Sequence, residues 1–135
     1  MKHRYYLALG SNLGDRSDHL QQARTQLGQF GDIIKASSII ETKPFGAADQ
    51  LFLNQVLVYQ TDLEPVALLD AIKQIETELG RTFAARWGNR EIDIDIILWD
   101  GEKIDTVTPH GYRLIIPHPG LPQRQFFIKL LDEIK

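Results

Sequence analysis

Residues 92–98 read Ile92-Asp93-Ile94-Asp95-Ile96-Ile97-Leu98, and their alternation decides the fold. Side chains on a strand point to opposite faces in turn. Ile92, Ile94, Ile96 and Leu98 are therefore predicted to form a continuous apolar face that packs on helices. Asp93 and Asp95 share the other face, about 6.6 Å apart by the strand rise. Such a strand fits a sheet covered by helices on one face and open on the other.

The chain on either side supplies the rest of that sheet. Upstream, Leu68, Ile72, Ile75 and Leu79 form one helical stripe, closed by Gly80. Thr61 and Glu64 have capping-box spacing, and Pro65 is tolerated in a first helical turn. Phe52 to Thr61 reads as a strand, with Leu53, Leu57 and Tyr59 opposite Phe52, Val56 and Val58. Lys43 to Gln50, with Pro44, Gly46 and Asp49, reads as a loop. Ile33 to Thr42 is a strand. Before it, Leu20, Ala23, Leu27 and Phe30 recur at helical spacing behind a cap at Asp15 or Ser17. Tyr5 to Gly10 is the first strand. Downstream of Trp99, Asp100-Gly101 marks a turn, and Glu102 to Ile104 is expected to pair back. Arg113 to Ile116 is a short extended piece. A last helix runs from Gln123, with Phe127, Leu130, Leu131 and Ile134 on one face. The order predicts an α+β, ferredoxin-like βαββαβ core: an antiparallel sheet, helices on one face, and the ligand site on the other.

The chain has 135 residues, 43% hydrophobic and 24% charged, which suits one compact domain over residues 1–135. No apolar run reaches the roughly 18 residues of a membrane span. Met1-Lys2-His3-Arg4 leads straight into a strand pattern and does not read as a signal peptide. The sequence contains no cysteine, which excludes a disulfide framework, a thiolate metal site and a cysteine nucleophile. A cytoplasmic protein is expected. A net charge of −3 counts against a nucleic-acid partner. Three of the eight arginines, Arg81, Arg86 and Arg90, nevertheless fall within ten residues. A basic loop on an acidic protein suits a small phosphate ligand, although a solvated charged loop reads equally well from charge alone.

The loop and the acidic strand gain meaning together. Two neighbouring carboxylates repel each other and each needs a counter-charge. Mg²⁺ takes carboxylate oxygens and keeps water and phosphate as further ligands. Two such ions a few ångströms apart clamp a phosphate chain for displacement at phosphorus. With 11 aspartates in the chain, a bare Asp-x-Asp is weak, and its setting on an apolar strand is what strengthens it. Arginine forks match phosphate oxygens, and Trp87 offers a flat ring to a heteroaromatic ligand or an anchor to the core. Glu76 falls in the last turn of its helix, where a carboxylate meets the unfavourable end of the dipole. An arginine, a bound hydroxyl or plain solvation would compensate it.

Three stretches carry a family resemblance: Leu7-Ala8-Leu9-Gly10-Ser11-Asn12-Leu13-Gly14, then Arg86-Trp87-Gly88-x-Arg90-x-x-Asp93-x-Asp95-Ile96, then Pro117-His118-Pro119 with Arg124-x-Phe126. In this order they resemble the 6-hydroxymethyl-7,8-dihydropterin pyrophosphokinases of folate biosynthesis, over nearly the whole chain. The resemblance implies transfer of diphosphate from ATP to the pterin hydroxymethyl oxygen, with release of AMP. It implies Asp93 and Asp95 as ligands of two Mg²⁺ ions, with Arg81 and Arg90 also catalytic. ATP contacts fall to Glu76, Arg81, Arg90, Ile96, His118 and Arg124. Pterin contacts fall to Thr42, Pro44, Phe45, Phe52, Asn54, Trp87, Asp95 and Phe126. The partners implied are the small substrates alone, with no nucleic acid or membrane and a monomeric enzyme. Phe83 stands where some relatives carry a second loop arginine, Lys43 replaces a proline common before Pro44, and many relatives continue beyond Lys135. Two other readings of the residues are a non-catalytic ferredoxin-like nucleotide-binding module and an ordinary kinase that moves only the γ-phosphate. Phosphoryl-type transfer by positioning and charge neutralisation needs no covalent nucleophile, in keeping with the absence of cysteine.

Overall fold

β1 (His3–Ser11) buries Tyr5, Leu7, Ala8 and Leu9, so it must lie inside a sheet covered on both faces. The computed structural model, which describes residues 2–43, 50–80 and 91–134, places it there. β1 pairs antiparallel with β4 (Phe52–Thr61) on one side and β5 (Asp93–Trp99) on the other. β2 (Asp32–Ala36) and β3 (Ile40–Thr42) both pair with the far side of β4, giving the order β2-β4-β1-β5. This is the strand order of the predicted ferredoxin-like core.

The expected strand over residues 33–42 is thus two strands. The break comes at Ser37, whose hydroxyl takes the Val56 N–H at 2.9 Å while its carbonyl takes the Gln55 side-chain amide at 2.9 Å. Side-chain bonding there competes with the regular ladder. Ser38 then turns to α3 (Gln125–Ile134), with its backbone N–H and its hydroxyl each 2.8 Å from the Glu133 carboxylate.

α1 (Arg16–Leu27) and α2 (Pro65–Glu78) cover one face. Their Leu20, Leu27, Leu68 and Ile72 pack with Leu7, Leu9, Leu57, Ile94 and Ile96 of the sheet. Asp15 caps α1 by accepting from the Asp18 N–H at 3.1 Å. Phe30 lies beyond the end of that helix yet still packs on the same core. The capping box expected at Thr61 does not form. Its hydroxyl donates to Phe30 O and accepts from Leu63 N–H, and Glu64 at the N-cap makes no side-chain capping bond, its carboxylate meeting His3 Nε2 at 3.1 Å instead. Buried tyrosine hydroxyls find backbone partners, Tyr5 at Leu63 O (2.8 Å) and Tyr59 at Leu27 O (2.7 Å).

Helices on a single face describe α1 and α2 only. A short 3-10 turn at Leu121–Gln123 precedes α3, which therefore starts after Gln123. α3 sets Phe127, Leu130, Leu131 and Ile134 against Ala8, Val56, Val58 and Ile97 on the opposite face. A register shift between Tyr6 and Leu7 marks a bulge in the β1–β5 pairing: Leu7 faces Ile96, but Tyr6 faces Leu98. The extra residue carries Leu98 over to the α3 side, beside Ile97, and returns Trp99 to the α1–α2 side. The apolar face predicted to include Leu98 therefore stops at Ile96. Glu102 bridges back to Trp99, whereas β6 (Ile104–Val107) pairs with β7 (Arg113–Ile116) in a separate two-stranded sheet. Among the described residues, no helix is long and apolar enough to cross a membrane.

Candidate functional site

On the face shared with α3, the pairing register dictates which side chains stand together. Asn54, Gly10 and Asp93 stand in one row across β4, β1 and β5; Val56, Ala8 and Asp95 form the next. Gly10 has no side chain and Ala8 only a methyl, so between Asn54 and the two aspartates the side-chain layer has a strip without bulk, a trough in the register. A Cβ on Gly10 would stand 3.4 Å from Asn54 Oδ1 and 3.5 Å from Phe52 Cδ1. Gly10 belongs to the Leu7–Gly14 stretch, and its place between Asn54 and Asp93 is visible only in the register.

The Asn54 side of the trough is preset. Thr42 faces Phe52 across β3 and β4. Asn54 Nδ2 donates to Thr42 Oγ1 at 2.6 Å, and Asn54 is buried. The amide is thereby oriented, with its Oδ1 toward Gly10. At the α3 end, Phe126 meets Phe127 edge-on at 4.6 Å between ring centroids and packs at the margin of the core.

The aspartate side is electrostatically tense. Asp95 is held well above the usual carboxylate range, first by burial and then by the Asp93 carboxylate, with Arg124 and Lys73 pulling the other way. Two acids that disfavour each other's charge beside a shallow polar trough fit a hard cation, which would supply the missing positive charge. Among the described residues, no cluster of three or more His, Cys, Asp or Glu is built to hold a metal. Asp93 and Asp95 would leave the remaining coordination positions to water and phosphate, as Mg²⁺ prefers.

His118 approaches from the other side of Asp95. Its backbone N–H donates to Ile97 O at 3.0 Å, extending the edge of β5 beyond the bulge. Its Nδ1 accepts from the Gly120 N–H at 2.9 Å, so the neutral ring carries its proton on Nε2, the nitrogen 3.9 Å from Asp95 Oδ1. Burial first, and the Arg124 guanidinium second, lower the His118 pKa. A Cβ on Gly120 would come within 3.1 Å of the His118 ring and 3.2 Å of Arg124 Nε. Gly120 is therefore what lets these two side chains stand together. Arg124 also lies over the Phe127 ring, 5.4 Å from its centroid.

Glu76 is completely buried under β5. Its Oε2 accepts the Ile94 N–H at 2.9 Å, and its Oε1 lies 3.5 Å from Lys73 Nζ. Among the described residues, a lysine one helical turn earlier and the strand edge thus compensate its charge. Lys73 also lies over the Tyr112 ring at 5.1 Å. Between α2, the edge of β5 and β7 opens a cleft of about 300 Å³, whose lining includes Leu69, Lys73, Ile96, Tyr112 and His118. Asp95 lines this cleft and also faces the trough, so the two depressions meet at its carboxylate. The expected site residues Pro44, Phe45, Arg81, Trp87 and Arg90, and the departure at Phe83, lie outside the described residues. Thr42, Phe52, Asn54, Asp93 and Phe126 come to the trough side. Ile96 and His118 line the cleft, with Arg124 beside His118 and Glu76 beneath its floor.

The family model described as 7,8-dihydro-6-hydroxymethylpterin-pyrophosphokinase (HPPK) matches residues 6–135. The 2-amino-4-hydroxy-6-hydroxymethyldihydropteridine pyrophosphokinase of Bacillus subtilis is 46% identical over 132 residues, covering 96% of this chain and 76% of the relative. The protein of the same name from Aquifex aeolicus is 45% identical over 131 residues, covering 96% and 79%. Among solved structures, an HPPK-DHPS protein in complex with substrates superposes with a TM-score of 0.77 at 16% identity. That match covers 99% of this chain and 40% of the larger one, and at such identity it speaks for the fold.

Proposed function

The chain belongs to the 7,8-dihydro-6-hydroxymethylpterin-pyrophosphokinase family, and we propose that its reaction is carried out where the trough and the cleft meet. That reaction is transfer of pyrophosphate from ATP to the hydroxymethyl group of 6-hydroxymethyl-7,8-dihydropterin, in folate synthesis. The binding-module and γ-kinase readings give way to it. One observation carries the placement: Asp95 is shared by a trough walled by Asn54 and Thr42 and a cleft walled by α2 and His118.

The pterin lies in the trough over Gly10, flat against Phe52 and Phe126, with its polar edge toward Asn54 and Thr42. Nearly planar heteroaromatics fit a floor without side chains and aromatic walls. The nucleoside lies in the cleft, beside Ile96 and Leu69 and close to Tyr112. Ile94 presents its N–H outward to Glu76, and by antiparallel alternation Ile96 presents its backbone groups outward too, where a base edge can pair with them. Glu76 acts by holding that edge straight rather than by touching the base.

The two substrates then meet across Asp93 and Asp95. The hydroxymethyl oxygen attacks the β-phosphorus and releases its proton to solvent, the bond from that phosphorus to the α-phosphate oxygen breaks, and AMP leaves. Asp93 and Asp95 would hold two Mg²⁺ ions, which when bound neutralise phosphate charge and fix phosphate oxygens. The Nε2–H of His118 and the guanidinium of Arg124 face the same region and stabilise the growing negative charge on the phosphates. Arg81, Arg90 and Trp87 complete the assignment as phosphate and ring contacts, and Pro44 and Phe45 as pterin contacts. Positioning and charge compensation supply the rate enhancement, with no covalent intermediate. We take residues 1–135 as one domain, acting as a monomer in the cytoplasm.

Product analysis tests the placement. With ATP, Mg²⁺ and the dihydropterin, AMP should appear only when the pterin is present. It should vanish on chelation and in Asp95→Ala, while the circular dichroism spectrum of that variant stays unchanged. Normal turnover in folded Asp95→Ala would remove the site from this face of the sheet.

A further inference from the structure

The turn between β1 and α1 takes no part in the chemistry above, yet it makes three long-range polar contacts with one region. Asn12, fully buried, donates through Nδ2 to Gln50 O at 3.0 Å. Arg16 donates through Nη1 to the next carbonyl, Leu51 O, at 2.9 Å, and the same nitrogen lies 2.9 Å from Glu41 Oε2. Glu41 immediately precedes Thr42, and Leu51 immediately precedes Phe52. One guanidinium thus ties together the residues that lead into both strands at the Thr42–Phe52 pair.

Two physical arguments make this more than a surface ion pair. Arg16 is the first residue of α1, where a cation meets the positive end of the helix dipole. Helix stability does not place an arginine there, so its contacts across the fold must offset the cost. β3, the strand it holds, has only three residues and three cross-strand partners. So short an edge strand contributes little pairing energy of its own.

We propose that Arg16 is a positioning residue for the pterin. Through Glu41 and Leu51 it holds β3 against β4, so that Thr42 stays within bonding distance of Asn54 and the amide keeps the orientation that faces the trough. The assignment rests on the reading that the pterin edge meets Thr42 and Asn54. It predicts a selective defect: pterin binding suffers and nucleotide binding, on the far side of Asp95, does not.

The test uses Arg16→Gln, Arg16→Lys and Glu41→Gln in the full chain, with two readouts. The first is amide hydrogen exchange in the ligand-free protein, at Thr42 and Asn54, whose N–H groups bond across β3 and β4, against α2 and β5. The second is the Kd of the dihydropterin in the presence of a non-hydrolysable Mg·ATP analogue, set beside the Kd of the analogue alone. Arg16→Gln should speed exchange at Thr42 and Asn54 and leave α2 and β5 protected. It should weaken pterin binding about tenfold, the size of one lost charge-assisted bond to a carbonyl. The analogue should bind unchanged, Arg16→Lys should recover part of the loss, and Glu41→Gln should fall between. Unchanged exchange at Thr42, or equal weakening of pterin and analogue, would overturn the proposal. If the unsubstituted protein bound the analogue but no pterin, the placement of the pterin would fail, while faster exchange in Arg16→Gln would still establish the clamp on β3.

Discussion

Replacing Asp95 by asparagine should make the protein more stable and the enzyme inactive, and the pH dependence of the gain identifies its cause. Burial and Asp93 raise the Asp95 pKa in the folded state. A carboxyl with a raised folded pKa supports the fold only while it is protonated. That support is complete below its unfolded value of 3.8 and is lost as pH rises through the folded value. Near pH 4, therefore, Asp95→Asn and the unsubstituted protein should differ little. Above pH 8 the parent carries the full cost of a charge the variant lacks. The side chain is 29% exposed, so water screens part of that cost, and Arg124 and Lys73 offset more of it. One to two pK units of net effect correspond to about 1.4–2.7 kcal/mol, or a rise of about 4–10 °C in Tm for a domain of this size. Thermal melts of both proteins from pH 4 to 8.5, with chelator present, measure this directly. Added Mg·ATP should then raise the Tm of the parent and leave the variant unmoved. A variant less stable than the parent at pH 8, or a gain equal at all pH values, would refute the argument that burial and the neighbouring Asp93 charge penalise the Asp95 carboxylate.

Other residues yield separate tests. Gly10→Ala should fold normally, because its new methyl meets Asn54 and Phe52 at ordinary contact distance; pterin affinity should drop by about 1–3 kcal/mol as the methyl fills the trough floor. Titration calorimetry beside a thermal melt separates the two effects, and an unchanged pterin Kd would move the pterin off Gly10. Glu76→Ala should cost about 3–5 kcal/mol by urea unfolding, since it strands the Ile94 N–H and removes the buried partner of Lys73; a loss under 1 kcal/mol would show that β5 does not depend on it. His118 titrates in the opposite sense to Asp95. Its folded pKa is lowered from 6.5, so its contribution is complete above about that pH and declines as pH falls through the folded value. Urea midpoints at pH 5 and 7.5 should converge when His118 is replaced by glutamine, and an unaltered difference would contradict the lowering of its pKa by burial and by Arg124.

Much of this fold is legible in the sequence because its strands obey the two-residue period. Phe52, Val56 and Val58 against Leu53, Leu57 and Tyr59 fall on the two faces as their alternation requires. The period fails at single residues that no pattern marks. One extra residue at the bulge beside Ile96 sends Leu98 to the side of Ile97, and the hydroxyl of Ser37 interrupts what reads as one strand. The helix that crosses to the second face is equally hidden. The stripe of Phe127, Leu130, Leu131 and Ile134 announces an apolar face but not which side of the sheet it will cover.

The site divides along the same line. Asp93 and Asp95 are visible because two acids interrupt an apolar run, a local contradiction that needs a use. Gly10, Gly120 and Lys73 are not visible, because each acts through what stands beside it in space. Gly10 matters through Asn54 and Asp93, Gly120 through His118 and Arg124, and Lys73 through the buried Glu76. A glycine in a strand reads as a weakness until the register shows which neighbours its missing side chain makes room for. The residues that make room, and those that neutralise a buried charge from the next helical turn, are thus found by pairing partners rather than by motif. The same logic singles out Arg16, whose place at a helix N-terminus is unfavourable locally and is explained only by Glu41 and Leu51 across the fold.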